Sequence, residues 1–475
     1  MYAGAAWVAF GSFVLIYPTY RYHLPPLVLV LFLMASLFGL WNDNHEVRPG
    51  ISDPVAWKRQ SVTTHFHAWL KHREAVWIKR KNPYPVFVAS AEGGGIRAAY
   101  WTASVLARLE DVSPGFACHL FAVSGVSGGS LGGAVFSALI ADEITKGGYS
   151  CDGRETKHIE ALLPKVQKIL GEDFLAPALA GMLFPDLMQR FSPLYGVLAF
   201  PDRAKYLEMA WERAWHDVTG GNRFDENFQA LWQPDSHRYQ VPSLFLNGTW
   251  VESGERNITS NLEPRHEKFG RLDDAIAALG KSIRLSTAVH MSARFTYVSP
   301  PGTVNDTSQT RHVVDGGYFE NSGTVTASEI VSVINDFLPR YCQEDPEDKE
   351  LCIGPRVVPI ALIISNDPTN PNNLNNPTKP PGNEGGGHQI LNETLSPWRT
   401  LFNTRSARGY DAERLLMKMA CTARFSLRQD RIATIPLGWM LSSKTKGDIA
   451  RQVLTQPGVN QVRDFLNPLY ECSRK

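Results

Sequence analysis

The sequence predicts an α/β protein behind a two-helix membrane hairpin, and three observations carry that expectation. Two uncharged apolar segments open the chain. Two strand-like runs each break at a glycine cluster and resume at helical spacing. A third such run ends in Asp315-Gly316-Gly317 ahead of another helical stretch.

Met1 to Tyr20 and Leu24 to Trp41 contain no charged residue. Each is about long enough to cross a hydrocarbon core of roughly 30 Å as a helix. "YRYH" separates them, with Pro18 before it and Pro25-Pro26 after it. Trp7, Tyr17, Tyr20, Tyr22 and Trp41 stand near segment ends, where interfacial aromatics belong. The pattern predicts a transmembrane hairpin over residues 1–45, an integral membrane protein, and the lipid bilayer as partner. A signal peptide followed by a buried helix is the competing reading, but a basic n-region and a small-residue cleavage site are missing.

The sequence carries two opposed signals for orientation. Arg48, Lys58 and Arg59 follow the second span, against Arg21 alone in the connecting loop, which favours a cytoplasmic body. The six cysteines are either unrelated thiols or, if two of them pair, a sign pointing the other way. Cys342 and Cys352 bracket "QEDPEDKEL", and a disulfide there implies an oxidising compartment.

Residues 46–83 form a basic link with Lys58, Arg59, Lys71, Arg73, Lys79, Arg80 and Lys81. Trp57, Phe66, Trp69, Leu70 and Trp77 recur at mostly helical spacings. Such an amphipathic helix packs on the following domain or lies along an anionic membrane surface. His65, His67 and His72 lack an i, i+4 arrangement with an acidic partner and read as surface residues.

Residues 84–475 form the main domain, with the motifs concentrated in 84–340. The whole chain carries 48 Lys+Arg against 47 Asp+Glu over 475 residues. That balance gives no footprint of a nucleic-acid binder. No CxxC or Cys/His ligand spacing suggests a metal, and neither GxxxxGK[ST] nor GxGxxG suggests a nucleotide cofactor. No internal repeat is evident.

In "YPVFVASAEGGGIRAAYWTASVLARLE", Val86, Phe87 and Val88 read as a buried strand. Gly93-Gly94-Gly95 breaks it, and Ile96, Tyr100, Ala103, Leu106 and Leu109 continue at helical spacing. Backbone N–H groups at such a turn point out from a helix N-terminus and form an anion site. "ACHLFAVSGVSGGSLGGAVFSALIA" repeats the logic, with a strand over His119 to Val123 and a small-residue helix over Leu131 to Ala141. Ser127 lies at the bend, in Gly125-Val126-Ser127-Gly128-Gly129, a G-x-S-x-G nucleophile elbow.

A nucleophilic serine needs a base. "RHVVDGGYFENSGTVTASEIVSVINDFL" places Asp315 at a strand end beside Gly316-Gly317, with a helix from about Thr324. Spacing leaves two options. One is a triad in the order Ser127, Asp315, His388; the other is Asp315 as the direct base. His388 follows the low-complexity stretch "NDPTNPNNLNNPTKPPGNEGGG", a poor place to fix a ring. His290 and His312 are less suitably placed. "FLAPALAGMLF", Phe174 to Phe184, is uncharged and reads as a site cap, a bilayer contact or a core helix.

These three motifs, in this order and spacing, resemble the patatin-like phospholipase family. That family carries D-G-G-G-x-R, G-x-S-x-G and D-G-[GA]. Here they stand as Glu92-Gly93-Gly94-Gly95-Ile96-Arg97, Gly125 to Gly129, and Asp315-Gly316-Gly317. Glu92 takes the place of the usual Asp, and Ala98 a place where Gly is common. "MSARFTYVSP" and "LFLNGTWVESGERN" are also similar, and the likeness covers roughly residues 84 to 335. The resemblance implies a three-layer α/β/α domain with a mostly parallel central sheet, and a Ser127–Asp315 dyad without histidine. It implies an oxyanion hole from Gly93, Gly94 and Gly95 with help from Gly128, no metal or other cofactor, and a membrane lipid ester as substrate. Arg97 would steady the loop or contact a phosphate. An acyltransferase using the same acyl-serine and a non-catalytic membrane scaffold are the alternatives to a hydrolase.

Overall fold

The structure is a computed structural model that describes residues 2–23, 27–39, 45–51, 58–80, 83–153, 160–191, 200–295, 298–305, 309–340, 357–366, 392–428 and 438–467. His388, Cys342 and Cys352 lie outside the described residues.

Among the described residues nine strands form one mixed sheet. They are β1 (Tyr84–Ala91), β2 (Leu120–Val126), β3 (Ser243–Trp250), β4 (Arg256–Ser260), β5 (Asp273–Asp274), β6 (Gly302–Asn305), β7 (Thr310–Asp315), β8 (Val357–Ser365) and β9 (Cys421–Ser426). The path runs β5-β4-β3-β2-β1-β8-β9, with β7 joined to β3 and β6 to β7. From β3 to β9 every neighbouring pair is parallel. The β3–β4, β3–β7 and β6–β7 pairs are antiparallel.

β1 and β2 are buried along their whole length. That is why they read as continuous apolar runs rather than alternating ones. Helices cover both faces. Phe87 and Ala89 point into one core with the Gly95–Val112 and Gly128–Thr145 helices. Val86 and Val88 point into a second, with the Val62–His72 and Thr324–Arg340 helices. The alternation follows from the two-residue period of a strand. The α/β expectation with a mostly parallel sheet between helical layers therefore holds.

Two expectations need correction. Among the described residues no helix is long and apolar enough to cross a membrane. The first apolar segment is helical over Tyr2–Phe10, wound as a π-helix over Gly11–Ile16, and helical again over Tyr17–Tyr22. The described part of the second is a helix of 12 residues, Leu27–Phe38.

The basic link packs on the body, the first of the two arrangements expected for it. Its Val62–His72 helix buries Phe66 against Phe121 and Phe337, at ring separations of 5.1 and 5.6 Å. Arg73 is fully buried and donates to the carbonyls of Cys118, Trp69 and Tyr239. Second, His65 is buried rather than on the surface. Desolvation pushes its pKa down to about 3 and keeps the ring neutral. The helix's apolar stripe is wider than the spacing of its large side chains suggests, so His65 and Arg73 fall within it.

The cysteines form a bond that spacing did not indicate, Cys118–Cys151. Cys421 is also disulfide-bonded.

Candidate active site

The strand ends decide what meets. β2 and β4 occupy opposite edges of β3, and β4 reaches as far as Thr249. β7 pairs with Gly248, Thr249 and Trp250, so it takes the β2 edge. β2 stops with Val126 opposite Asn247, and β7 stops with Asp315 opposite Gly248. Two strands thus arrive end to end on one edge of β3, and their next functional residues, Ser127 and Asp315, share one spot. It lies at the carboxyl ends of the parallel strands, where α/β sheets place their sites.

Ser127 caps the Gly128–Thr145 helix with φ 53° and ψ −121°. A non-glycine residue held there costs about 1–3 kcal/mol and persists only when its surroundings fix it. The gain is that the hydroxyl of this buried serine is presented at a sharp strand-to-helix turn. Gly128 is required by close approach, because a side chain there would collide with the Gly95 carbonyl. The elbow and the triple-glycine turn therefore lie backbone against backbone.

Asp315 is buried, and its Oδ1 accepts the Gly317 amide at 2.7 Å. Oδ2 lacks a well-aligned hydrogen-bond partner. Desolvation pushes the carboxyl up to about 6; the Ser127 hydroxyl, the Gly317 amide and the charge of Arg405 each pull against that rise. Arg405, on the Asn392–Met419 helix, donates to the Gly317 carbonyl at 2.9 Å.

The glycine turn follows β1. Gly94 and Gly95 have φ of 154° and 59°, values that favour glycine. Both are half-buried, while Gly93 is buried. The Gly93 N–H is already committed to the Asn321 carbonyl at 2.8 Å, so Gly93 is not an available oxyanion donor. Among the described residues, the N–H groups of Gly94, Gly95 and Gly128 have no backbone partner. They stand at the starts of two helices, where the first amides lack intrahelical acceptors.

Arg97 is buried, and its Nε donates to Asn366 Oδ1 at 2.9 Å. Asn366 Nδ2 in turn donates to the carbonyls of Gly93 and Glu92, at 2.9 and 3.2 Å. Glu92 accepts from the Ser365 hydroxyl and the Asn366 amide, at 2.6 and 2.7 Å. The loop is thus held from β8 by a network in which Arg97 is a support. Gly125 and Gly129 flank the elbow in tight contact with Ser130 and Ala91, and Gly316 packs on the Asn247 carbonyl.

The two other candidate histidines, His290 and His312, are engaged elsewhere. His290 is buried between Glu208 and Ser299, at 3.0 and 2.8 Å. His312 pairs with Glu252 at 2.7 Å near the surface. Among the described residues no group of three or more His, Cys, Asp or Glu side chains is arranged to hold a metal ion.

Sequence reasoning did not single out Asn247, Ser292, Asn321 and Asn366. Asn247 Nδ2 donates to the Gly125 carbonyl at 2.8 Å and to Ser124 Oγ at 3.1 Å, tying β3 to the elbow. A polar residue inside a buried strand marks Asn247, and one just past the carboxyl end of a buried strand marks Asn366.

No family model matches the chain, and no curated relative matches it. Solved structures with partial likeness include human GIVD cytosolic phospholipase A2, with a TM-score of 0.41 and 12% identity over 85% of this chain and 67% of that one. VipD from Legionella pneumophila gives 0.29 and 12%, over 82% and 67%. Both likenesses are too slight to carry fold or function over to this chain.

Proposed function

We propose that this chain is a patatin-like serine lipid acyl hydrolase of the phospholipase A or lysophospholipase type. One observation carries the reading: β2 and β7 end against each other on β3, which brings Ser127 to Asp315 beside N–H groups that have no backbone acceptor among the described residues. In this mechanism Asp315 accepts the Ser127 proton as Oγ attacks an ester carbonyl. The amides of Gly94, Gly95 and Gly128 hold the oxyanion. The alcohol leaves with the proton from Asp315, and the acyl-serine is hydrolysed by water that Asp315 deprotonates. Positioned donors are typically worth about 10²–10³ in rate each, and a general base about 10²–10⁴.

Lipid contact belongs, in this reading, to the N-terminal helices and the segment they touch. Phe13, Tyr20, Phe32 and Leu33 are exposed. Trp7 donates to the Leu183 carbonyl at 2.8 Å and packs on Phe184, itself part-exposed in the uncharged 174–184 stretch. The Cys118–Cys151 bond supports an oxidising compartment for the body.

The test is covalent labelling by a fluorophosphonate, followed by product analysis on a mixed lipid panel. The reading expects labelling at Ser127, loss of labelling in Ser127→Ala, and release of free fatty acid. An unlabelled Ser127, or acyl transfer to an added alcohol with no fatty acid released, overturns it.

A further inference from the structure

We infer that Ser292 is a positioning residue of the Ser127–Asp315 site, a role that rests on the hydrolase reading above. Ser292 ends the Leu285–Ser292 helix and is buried. Its Oγ donates to the Asn247 carbonyl at 2.6 Å. A serine hydroxyl has one proton and two lone pairs. With the proton on Asn247, both remaining partners donate to Ser292. These are the Ser127 amide at 3.0 Å and the Ser130 hydroxyl at 2.8 Å. The Ser292 carbonyl also accepts the Ser127 amide, at 3.2 Å. Every hydrogen-bonding valence of this side chain is filled, and the directions are fixed.

The partners are the ones that matter for geometry. Ser127 has positive φ and needs outside contacts to stay there. Asn247 stands opposite Val126, one position from the Gly248 that faces Asp315. Two residues after Ser292, the Arg294 carbonyl accepts the Asp315 amide at 3.0 Å. The 292–294 segment therefore holds the backbone of the nucleophile and that of the base. It also occupies the Ser127 amide, which leaves the oxyanion to the Gly94, Gly95 and Gly128 amides.

The test compares Ser292→Ala with Ser299→Ala on a soluble short-chain p-nitrophenyl ester. Ser299 braces the same segment through His290 but does not touch Ser127. Ser292→Ala is expected to lower kcat and the fluorophosphonate labelling rate about 10²-fold, since small displacements of reacting groups cost that much. KM should stay within about threefold, because the change does not remove a substrate contact. Ser299→Ala is expected to lower stability while keeping kcat per labelled site. Rates are normalised to titrated active sites, so partial unfolding does not imitate the effect. Ser292→Cys, a closer match in shape with a weaker acceptor, should fall between alanine and wild type. Unchanged kcat in Ser292→Ala, or an equal fall in Ser299→Ala, overturns the inference alone. Collapse of both Ser292 variants would make Ser292 a residue of the fold and overturn it too. Failure of wild-type Ser127 to label overturns the hydrolase reading and this inference with it.

Discussion

Val126 and Asp315 occupy consecutive positions along β3, opposite Asn247 and Gly248. Nearly 190 residues of chain separate two groups that the sheet places end to end. Because Ser127 and Asp315 act as a unit, Ser127→Ala and Asp315→Asn should each remove at least roughly 10³ of the hydrolysis rate, and the double variant should be little worse. Initial rates on a soluble ester check this. Additive losses would mean that the residues act in separate steps.

The pH dependence follows from the burial of Asp315. As a base it must be ionised, and its carboxyl sits at about 6. kcat/KM should rise about tenfold per pH unit below 6 and level off above it. A profile that levels off near pH 4 would mean that Asp315 is not the base.

The same shift bears on stability. A carboxyl raised in the folded state binds its proton more tightly there than in the unfolded chain. Its contribution is present below about pH 4 and lost as pH rises through about 6. The loss is about 3 kcal/mol for a shift from 3.8 to about 6. Asp315→Asn cannot ionise and keeps an oxygen for the Gly317 amide. Its denaturant midpoint should exceed that of wild type at pH 8 and match it at pH 4. Equal midpoints at pH 8 would show that the carboxyl ionises without cost.

Asn366 grips the glycine turn from β8 through two carbonyls and Arg97. Asn366→Ala should lower kcat about 10- to 100-fold by loosening the oxyanion donors. It should also cost about 1–3 kcal/mol through buried groups left without partners. Asn366→Asp keeps an acceptor for Arg97 but cannot donate to the loop carbonyls, so its kcat should fall as well. Wild-type activity in Asn366→Asp would place the grip with Arg97 alone.

Much of this site was legible because its parts are local. Gly93 to Gly95 and Gly125 to Gly129 announce turns by residue type, and apolar runs before them announce strands. What the sequence could not convey is which groups meet. The Gly93 amide is spent on Asn321, 228 positions away, so the glycine nearest β1 is not the donor that its motif position suggests. Ser292 looks like any helix-end serine until β3 carries Asn247 to it. The Cys118–Cys151 bond closes across the helix that Ser127 begins, and neither cysteine carries a spacing signal. His65 and Arg73 resemble surface residues in a basic stretch, yet the sheet's second face buries them.

The last prediction concerns the N-terminal helices. The boundary for removing them is set by contacts. His45 pairs with Asp202 at 2.8 Å, the Val47 amide donates to the Thr303 carbonyl at 3.1 Å, and Arg48 pairs with Glu212 at 2.8 Å. A cut near Val47 would take structure from the body, whereas a cut between Gly39 and His45 spares all three. Loss of residues 1–40 should therefore leave kcat on a soluble ester within about twofold, since the groups around Ser127 lie beyond it. It should also abolish retention of the protein on membranes at alkaline pH. Apolar burial does not weaken with salt or alkali as charge pairing does. The shortened protein loses the Trp7 contacts to Leu183 and Phe184, so activity on phospholipid vesicles should fall much further than activity on the soluble ester. Flotation and vesicle assays on the two proteins decide it. If the full-length protein washes off in carbonate, or the shortened one floats equally well, these helices are not the lipid contact.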